Sequence, residues 1–251
     1  MKSSKIMKCF EEYIKKFDMN NQESKAKYFH SLRSMDLAKD IATKLDIFTE
    51  EEILLIGLIA LFHDLGEFDT KSTFESSDSP KEDNTMKTID ILFKEGIIRK
   101  ILDDTKYDNV IKIAIYCHNK EGLPKNIDDK VIHICNILKD TYKIEELRMV
   151  IDYPYIDNRI DTYPSNTVYE EFKKMDLIDD KIVNNNADNI LVVLSNVFCL
   201  NYRYSYYLLK ENDYLSKITN SLIFADKKIE KFYKQLETIL SNYINKKIME
   251  K

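Results

Sequence analysis

A run of ten apolar residues places the strongest limit on how this chain can fold. The run from Ile53 to Phe62 reads ILLIGLIALF. Ahead of it, Thr49 and Glu52 have the spacing of a helix-capping box. A helix that is apolar on all sides belongs at the centre of a domain. Because the run is too short to cross a bilayer, we predict a buried central helix and no membrane span.

The scarcity of chain-breaking residues indicates that the rest of the chain is helical as well. Only 4 Gly and 4 Pro occur among 251 residues, which favours long helices over many short strands. Gly66 is expected to help end the central helix. Apolar spacing and capping signals predict helices near residues 3–18, 24–45, 49–62, 84–95, 97–103, 107–118, 129–150, 167–175, 187–210 and 226–247. We therefore predict an all-α fold.

Two polar segments divide the chain. The first, TKSTFESSDSPKEDN at residues 70–84, is predicted to be a loop after the central helix. The second, residues 151–167, holds two prolines and several Asp and Asn residues, and it is a plausible domain border. We expect residues 1–150 to form a helical core and residues 151–251 a C-terminal helical extension packed on it.

Charge and cysteine usage bound the classes of function. The formal net charge is −5, and without a basic excess general nucleic-acid binding is not favoured. The four cysteines are scattered and form no CxxC pair, which is typical of reduced thiols in a cytoplasmic protein. The N-terminus lacks the uninterrupted apolar run of a signal peptide. The sequence leaves the oligomeric state open, including a homodimer.

Three residues form a candidate metal site. His63 and Asp64 end the apolar helix, and His30 lies on the predicted inner side of the preceding helix. A charged Asp at the end of a buried helix is costly to desolvate unless a cation compensates it. Imidazole and carboxylate are normal ligands of a divalent ion. Alternatively, the histidines are ordinary core residues, and Asp64 caps a helix or pairs with a lysine.

The segments FHSLRSMDLAKDIATKLDI and ALFHDLGEF resemble the HD superfamily of metal-dependent phosphohydrolases. The resemblance implies an HD-type helical bundle that binds metal through an H…HD…D motif. His30 matches the first histidine, and His63 and Asp64 match the HD pair. The segments HDLGEF, LFKEGIIRK and AIYCHNK, together with VFCLNYRYSYYLLKENDYLSKI, are similar to an uncharacterised bacterial branch of the superfamily.

The sequence leaves two candidates for the last ligand position of the motif. In the best register with the family, Tyr142 stands at the ligand position, and Asp140 comes two residues earlier. Two residues are about 200° apart around a helix, so both cannot face one ion. If Asp140 faces the site, the ligand set is His30, His63, Asp64 and Asp140. If Tyr142 does, three ligands remain.

Two acidic residues are candidates to act on water. Glu67 gives the pattern His63-Asp64-x-x-Glu67, which looks like the HDxxE motif of HD nucleotidases, where the Glu positions or deprotonates the attacking water. A solvated Glu on a helix end is the alternative. Asp83 is the second candidate. The related branch usually has Asp-His there, whereas this chain has Asp83-Asn84.

Three residues are candidates to hold a substrate phosphate. His118 lies on the inward face of its predicted helix, and similar proteins use such a histidine for a second metal or for phosphate. Arg33 follows His30 by about one turn, and Lys120 follows His118. A core histidine and two surface cations are the alternatives.

These features predict a metal-dependent phosphohydrolase that acts on a nucleotide or other small phosphate ester. It would use a divalent ion such as Mn, Fe, Zn, Co, Ni or Mg. One alternative is a degenerate HD module that binds a ligand or protein partner without catalysis, since Tyr142 and Asn84 depart from the family pattern. A helical interaction protein using the aromatic segment 202–207 is the third.

Overall fold

A computed structural model describes residues 1–68, 84–120, 122–152 and 158–250, and in them the predicted all-α fold is confirmed. The α-helices are α1 (Ser3–Ile14), α2 (Gln22–Leu45), α3 (Glu50–Phe62), α4 (Leu65–Phe68), α5 (Asn84–Phe93), α6 (Asp108–Cys117), α7 (Asp129–Asp152), α8 (Asn166–Lys173), α9 (Asn186–Ser195), α10 (Arg203–Glu211), α11 (Tyr214–Ser221) and α12 (Lys227–Met249). Short 3-10 helices span Ile98–Lys100, Asp180–Ile182 and Asn196–Cys199. Two short strands, β1 (Arg159–Ile160) and β2 (Ile223–Phe224), pair in parallel.

The chain divides into two compact units, residues 1–142 and residues 143–251. This division falls inside α7, a few residues before the border that the sequence predicts at 150. The packing of the C-terminal extension on the core stays a prediction. None of the helices in the described ranges is long and apolar enough to cross a membrane.

The first unit is built around α3, as its apolar sequence predicts. Every residue from Leu55 to Phe62 is buried. The helix begins with the expected capping box, in which the Thr49 side chain accepts from the Glu52 N–H while the Glu52 carboxylate accepts from the Thr49 N–H. Helices α1, α2 and α6 pack against α3. Phe10 of α1 meets the Phe62 ring edge-on, with 5.6 Å between ring centroids.

In the second unit α12 packs against α10, α11 and β2. The buried Tyr233 of α12 donates its hydroxyl to the main-chain oxygen of Ala187 at 3.2 Å. Beside it, the fully buried carboxylate of Asp188 accepts main-chain N–H groups of Ser165 at 2.6 Å and Asn184 at 3.0 Å. These bonds satisfy polar groups that would otherwise be costly to bury.

Two helix predictions are wrong in detail, and one helix was not predicted. The single helix predicted over 187–210 is two α-helices joined by a 3-10 turn and the extended Leu200. The Ser195 hydroxyl donates to the main-chain oxygen of Val192 at 2.6 Å and accepts the N–H of Ile178 at 3.1 Å, so it competes with the helix at its end. Helix α11 follows Asp213, whose backbone is left-handed at φ 53°, and was not predicted. The helix predicted at 97–103 is only the 3-10 turn Ile98–Lys100.

Gly66 does not end the central helix, because α3 already ends at Phe62 and Gly66 lies inside α4. Its lack of a side chain serves close packing against α5. A Cβ atom at Gly66 would lie 2.4 Å from the main-chain oxygen of Asn84, and the Gly66 N–H donates to the Thr88 hydroxyl at 2.9 Å. The predicted loop at 70–84 lies outside the described residues except for Asn84.

Candidate metal centre

The candidate metal centre lies where α3 gives way to α4. His63 is the residue after the last turn of α3, and Asp64 follows it in the turn to α4. His30 comes from α2, the helix that packs most extensively on α3. Both histidines are buried, and the Asp64 side chain keeps 13% of its surface exposed. The residues that the sequence singles out at positions 30, 63 and 64 are therefore brought together in a shielded place.

The donor atoms of these three residues converge. The Nε2 atom of His63 lies 2.9 Å from Oδ2 of Asp64, and the Nε2 atom of His30 lies 3.4 Å from the same oxygen. The two Nε2 atoms are 3.4 Å apart. One donor atom from each residue falls within 4.8 Å of the other two, so the group could hold a metal ion. Two imidazoles and a carboxylate suit a divalent transition-metal ion.

The protonation of His63 shows why a cation fits between these atoms. Its Nδ1 atom lies 2.7 Å from the main-chain oxygen of Ala60, and because a carbonyl only accepts, Nδ1 carries the hydrogen. Burial lowers the pKa of His63, so its ring is neutral near pH 7 and Nε2 bears a lone pair. That lone pair points at a carboxylate oxygen 2.9 Å away. A cation between these two acceptor atoms would remove their repulsion. The hydrogen bond from Nδ1 orients the ring, as is usual for histidines that bind a metal ion.

Asp64 is held ionised. Burial opposes its charge most strongly, but the hydrogen bonds that Asp64 accepts from His118 and His30 help to outweigh burial, and the Asp64 pKa lies well below its usual range. A permanently charged carboxylate in a shielded site is a suitable ligand for a divalent ion.

His118 joins the site from α6, of which it is the C-cap. Its Nε2 atom lies 3.3 Å from Oδ1 of Asp64, and its Nδ1–H donates to the main-chain oxygen of Ile115 at 2.6 Å. Burial acts to lower the His118 pKa, but the hydrogen bond and charge of Asp64 outweigh it and raise the pKa above its usual value. The inward orientation predicted from the sequence agrees with this position. His118 contacts the Asp64 oxygen that His30 and His63 leave free.

Glu67 lies one turn after Asp64 at the edge of the site. Its N–H donates to the main-chain oxygen of Asp64 at 3.0 Å. The negative charge of Asp64, followed by burial, raises the pKa of Glu67 to about 7. A carboxyl group with a pKa near neutrality can both take and return a proton.

Lys27 is a residue of the site that the sequence analysis did not single out. Its ammonium donates to the main-chain oxygen of Glu67 at 2.7 Å. The sequence does contain a signal for this position, because Lys27 precedes His30 by three residues and therefore lies on the same side of α2. It was not recognised because the partner lies 40 residues further along the chain.

The sequence predicts three further site residues, Arg33, Lys120 and Asp83. Arg33 is half-buried on α2. The Lys120 ammonium lies over the Tyr116 ring, 3.4 Å from the ring centroid. Asp83 lies outside the described residues. The roles of all three stay predictions.

Helix α7 presents its two candidate ligand residues differently. The half-buried Tyr142 packs its ring against His118, with 5.4 Å between centroids. Asp140 is fully buried and, among the described residues, does not belong to the group that could hold a metal ion. The ring contact favours Tyr142 as the residue facing the site, since position 140 points about 200° away around the helix. Asp140 as the last ligand stays a prediction.

Comparison with known proteins adds one decisive observation: residues 28–147 match the family model of the HD domain. This match over residues 28–147 supports membership of the HD-domain superfamily. No curated protein and no solved structure matched it. The matched range contains every described residue of the centre except Lys27. Resemblance to one bacterial branch of the superfamily stays a prediction.

The match to the HD domain indicates a general class of chemistry. HD proteins are generally metal-dependent hydrolases, and the all-α core with additional C-terminal helices has the architecture expected of one. The residues present also fit a metal ion, because His30, His63 and Asp64 direct three donor atoms to one place. The identity of the metal does not follow from these residues.

Proposed function

We propose that this HD protein is a metal-dependent phosphohydrolase that removes phosphate from a nucleotide or another small phosphate ester. One observation carries the proposal. The neutral Nε2 atom of His63 and the ionised Oδ2 atom of Asp64 face each other at 2.9 Å in a shielded turn, with Nε2 of His30 beside them. Two imidazole nitrogens and a carboxylate oxygen are ligands that suit a divalent transition-metal ion.

The residues around the centre can divide the work of hydrolysis. His30, His63 and Asp64 would hold the ion, which supplies positive charge to a phosphate oxygen and to the attacking water. Glu67 accepts the proton of the water as the oxygen attacks phosphorus, because its pKa of about 7 suits a base near neutral pH. The bond from phosphorus to the ester oxygen breaks, and that oxygen takes a proton from solvent and departs as the alcohol. Glu67 then returns its own proton to solvent.

His118 is proposed as the phosphate contact. Its pKa is raised beside Asp64, so the imidazolium form, with a hydrogen on Nε2, is favoured relative to a free histidine. A phosphate oxygen could accept this N–H in place of Oδ1 of Asp64, which lies 3.3 Å from Nε2. Arg33 and Lys120 are kept as further candidates for phosphate, and Asp83 as a second group acting on water.

A small substrate is favoured over a nucleic acid. The net charge of −5 gives the protein no overall attraction for a polyanion. The catalytic carboxylates Glu67 and Asp64 add further negative charge at the site. One bound metal ion and one or two cationic side chains can balance the charge of a single phosphate group. A phosphate monoester is therefore the substrate class that we favour.

Elemental analysis and a phosphate-release assay test the proposal together. The protein as purified should contain a transition metal, and with Mn²⁺ or Co²⁺ it should release phosphate from a panel of nucleotides and sugar phosphates. His63→Ala should abolish both properties, whereas His133→Ala, at a half-buried position on α7, should retain them. Release that is equal in His63→Ala and wild-type protein would refute the proposal.

A degenerate HD module is the second candidate, and the Tyr142 ring against His118 favours it. A phenol in place of a carboxylate removes one negative charge from the ligand set. Such a module would bind phosphate compounds without turnover. Saturable binding of a nucleotide by metal-loaded protein, with no release of phosphate over hours, would support this candidate against the first.

A further inference from the structure

The short segment that carries Glu67 has little structure of its own. Helix α4 spans only Leu65–Phe68, a single turn. One isolated helical turn is unstable because its nucleation fixes several backbone angles for one hydrogen bond. Contacts from neighbouring elements must therefore hold Glu67 in place.

Helix α5 holds one side of this segment. The Gly66 N–H donates to the Thr88 hydroxyl at 2.9 Å, and the absence of a Cβ atom at Gly66 allows the two backbones to meet. Thr88 is fully buried, so this bond is shielded from water. It fixes the residue before Glu67 but leaves the side facing α2 to another group.

Lys27 occupies that other side. Its ammonium donates to the main-chain oxygen of Glu67 at 2.7 Å and lies 2.7 Å from Oε1 of Glu23, one turn earlier on α2. Only 19% of the Lys27 side chain is exposed. A half-buried ammonium needs such partners, and the Glu23 carboxylate balances its charge.

We propose that Lys27 is a positioning residue, which ties the main chain at Glu67 to helix α2 and thereby fixes the Glu67 carboxyl group relative to His30 and Asp64. His30 leaves the same side of α2 one turn after Lys27. The bond therefore joins one metal-site helix directly to the segment that bears the candidate base. Its importance for catalysis rests on the proposed phosphohydrolase function, whereas its structural effect does not.

An ordinary helix-surface ion pair is the competing explanation. Lys27 and Glu23 are spaced i, i+4, and pairs of this kind contribute little to stability. Such a pair would not protect a segment 40 residues away along the chain. The two explanations therefore differ in what happens at residues 65–68 when Lys27 is changed.

Hydrogen–deuterium exchange of the metal-free full-length protein tests the tie without any assay of activity. In Lys27→Met, amides in a peptide covering 65–68 should exchange about tenfold faster or more, with peptides of α3 unchanged. Lys27→Arg should restore most of the protection, because guanidinium can also donate to a carbonyl. Lys25→Met, an exposed position on the same helix, is the matched control and should match wild type. Unchanged exchange in Lys27→Met would overturn the inference.

Kinetics then separate positioning from metal binding. If phosphate release is observed, Lys27→Met should lower kcat by about tenfold to a hundredfold, because a displaced base loses alignment with the water. The Kd for Co²⁺ should stay within about threefold of wild type, since the metal ligands are untouched. A wild-type kcat in Lys27→Met would refute the catalytic part. Absence of release in wild-type protein would refute the proposed function alone and leave the exchange result to decide the tie.

Discussion

The Nε2 atom of His118 lies 3.3 Å from Oδ1 of Asp64, the oxygen opposite the one that faces His30 and His63. Both His63 and His118 are C-caps of their helices, and both donate Nδ1–H to the main-chain oxygen three residues earlier. The same local bond thus directs two Nε2 atoms from separate helices to the two oxygens of one carboxylate. Asp64 is therefore the centre of the polar network.

Replacing His118 should weaken metal binding without abolishing it. In His118→Gln, Asp64 loses a hydrogen-bond partner and a neighbouring positive charge, so we expect the Kd for Co²⁺ to rise about tenfold to a hundredfold. Calorimetric titration measures this directly. His133→Gln provides the control on a histidine outside the centre. Equal affinities in His118→Gln and wild type would contradict the network described above.

The last ligand can be located with two substitutions on α7. Because Tyr142 packs against His118, Tyr142→Asp should place a carboxylate facing the site and tighten Mn²⁺ binding by about tenfold or more. Asp140→Asn serves as the comparison. If Tyr142→Asp has no effect and Asp140→Asn loses about a hundredfold in affinity, as for loss of a direct ligand, the last ligand is Asp140.

Glu67 should be needed for turnover but not for metal binding. Glu67→Gln removes the proton acceptor while keeping the shape of the side chain, so kcat for phosphate release should fall by about a hundredfold or more. The Kd for Co²⁺ should change little. A variant that retains wild-type kcat would exclude Glu67 as the base.

Glu67 should also make the stability of the metal-free protein depend on pH. Its folded pKa of about 7 lies above the usual 4.5, so its favourable contribution is complete below pH 4.5 and is lost as the pH rises through 7. At pH 8 the wild-type fold therefore bears the cost of a charged Glu67 beside Asp64. Glu67→Gln should raise the free energy of unfolding by about 2 kcal/mol at pH 8 and by much less at pH 4.5. Urea denaturation with a chelator measures both, and an equal effect at the two pH values would contradict the raised pKa.

Gly66 should tolerate no side chain. In Gly66→Ala the new Cβ atom would meet the main-chain oxygen of Asn84 at 2.4 Å, so α4 and α5 must separate. We expect a loss of about 2 kcal/mol in the free energy of unfolding. Gly122→Ala is a suitable control, because a Cβ atom there would meet nothing within 4 Å. Equal stability of the two variants would show that the α4–α5 contact adapts.

Local patterns in the sequence were sufficient to predict the central helix and the three candidate metal ligands His30, His63 and Asp64. The apolar run and the capping residues at Thr49 and Glu52 act over a few residues, so they predict α3 correctly. His63 and Asp64 follow that helix directly, and helical spacing places His30 on the inner side of α2. For such features the physical cause and its sequence signal lie in the same short segment.

Contacts between distant segments were decided only by the tertiary structure. The hydrogen bond from Lys27 to the main chain at Glu67 joins segments 40 residues apart and leaves no periodic trace in the sequence. Whether Asp140 or Tyr142 faces the site depends on how α7 is rotated about its axis, and the sequence leaves this rotation open because α7 is buried on more than one side. The ring contact between His118 and Tyr142, which favours Tyr142, is visible only in the tertiary structure. Helix rotation and main-chain partners follow from the packing of whole elements, whereas residue spacing alone reports only which side of an element each residue shares.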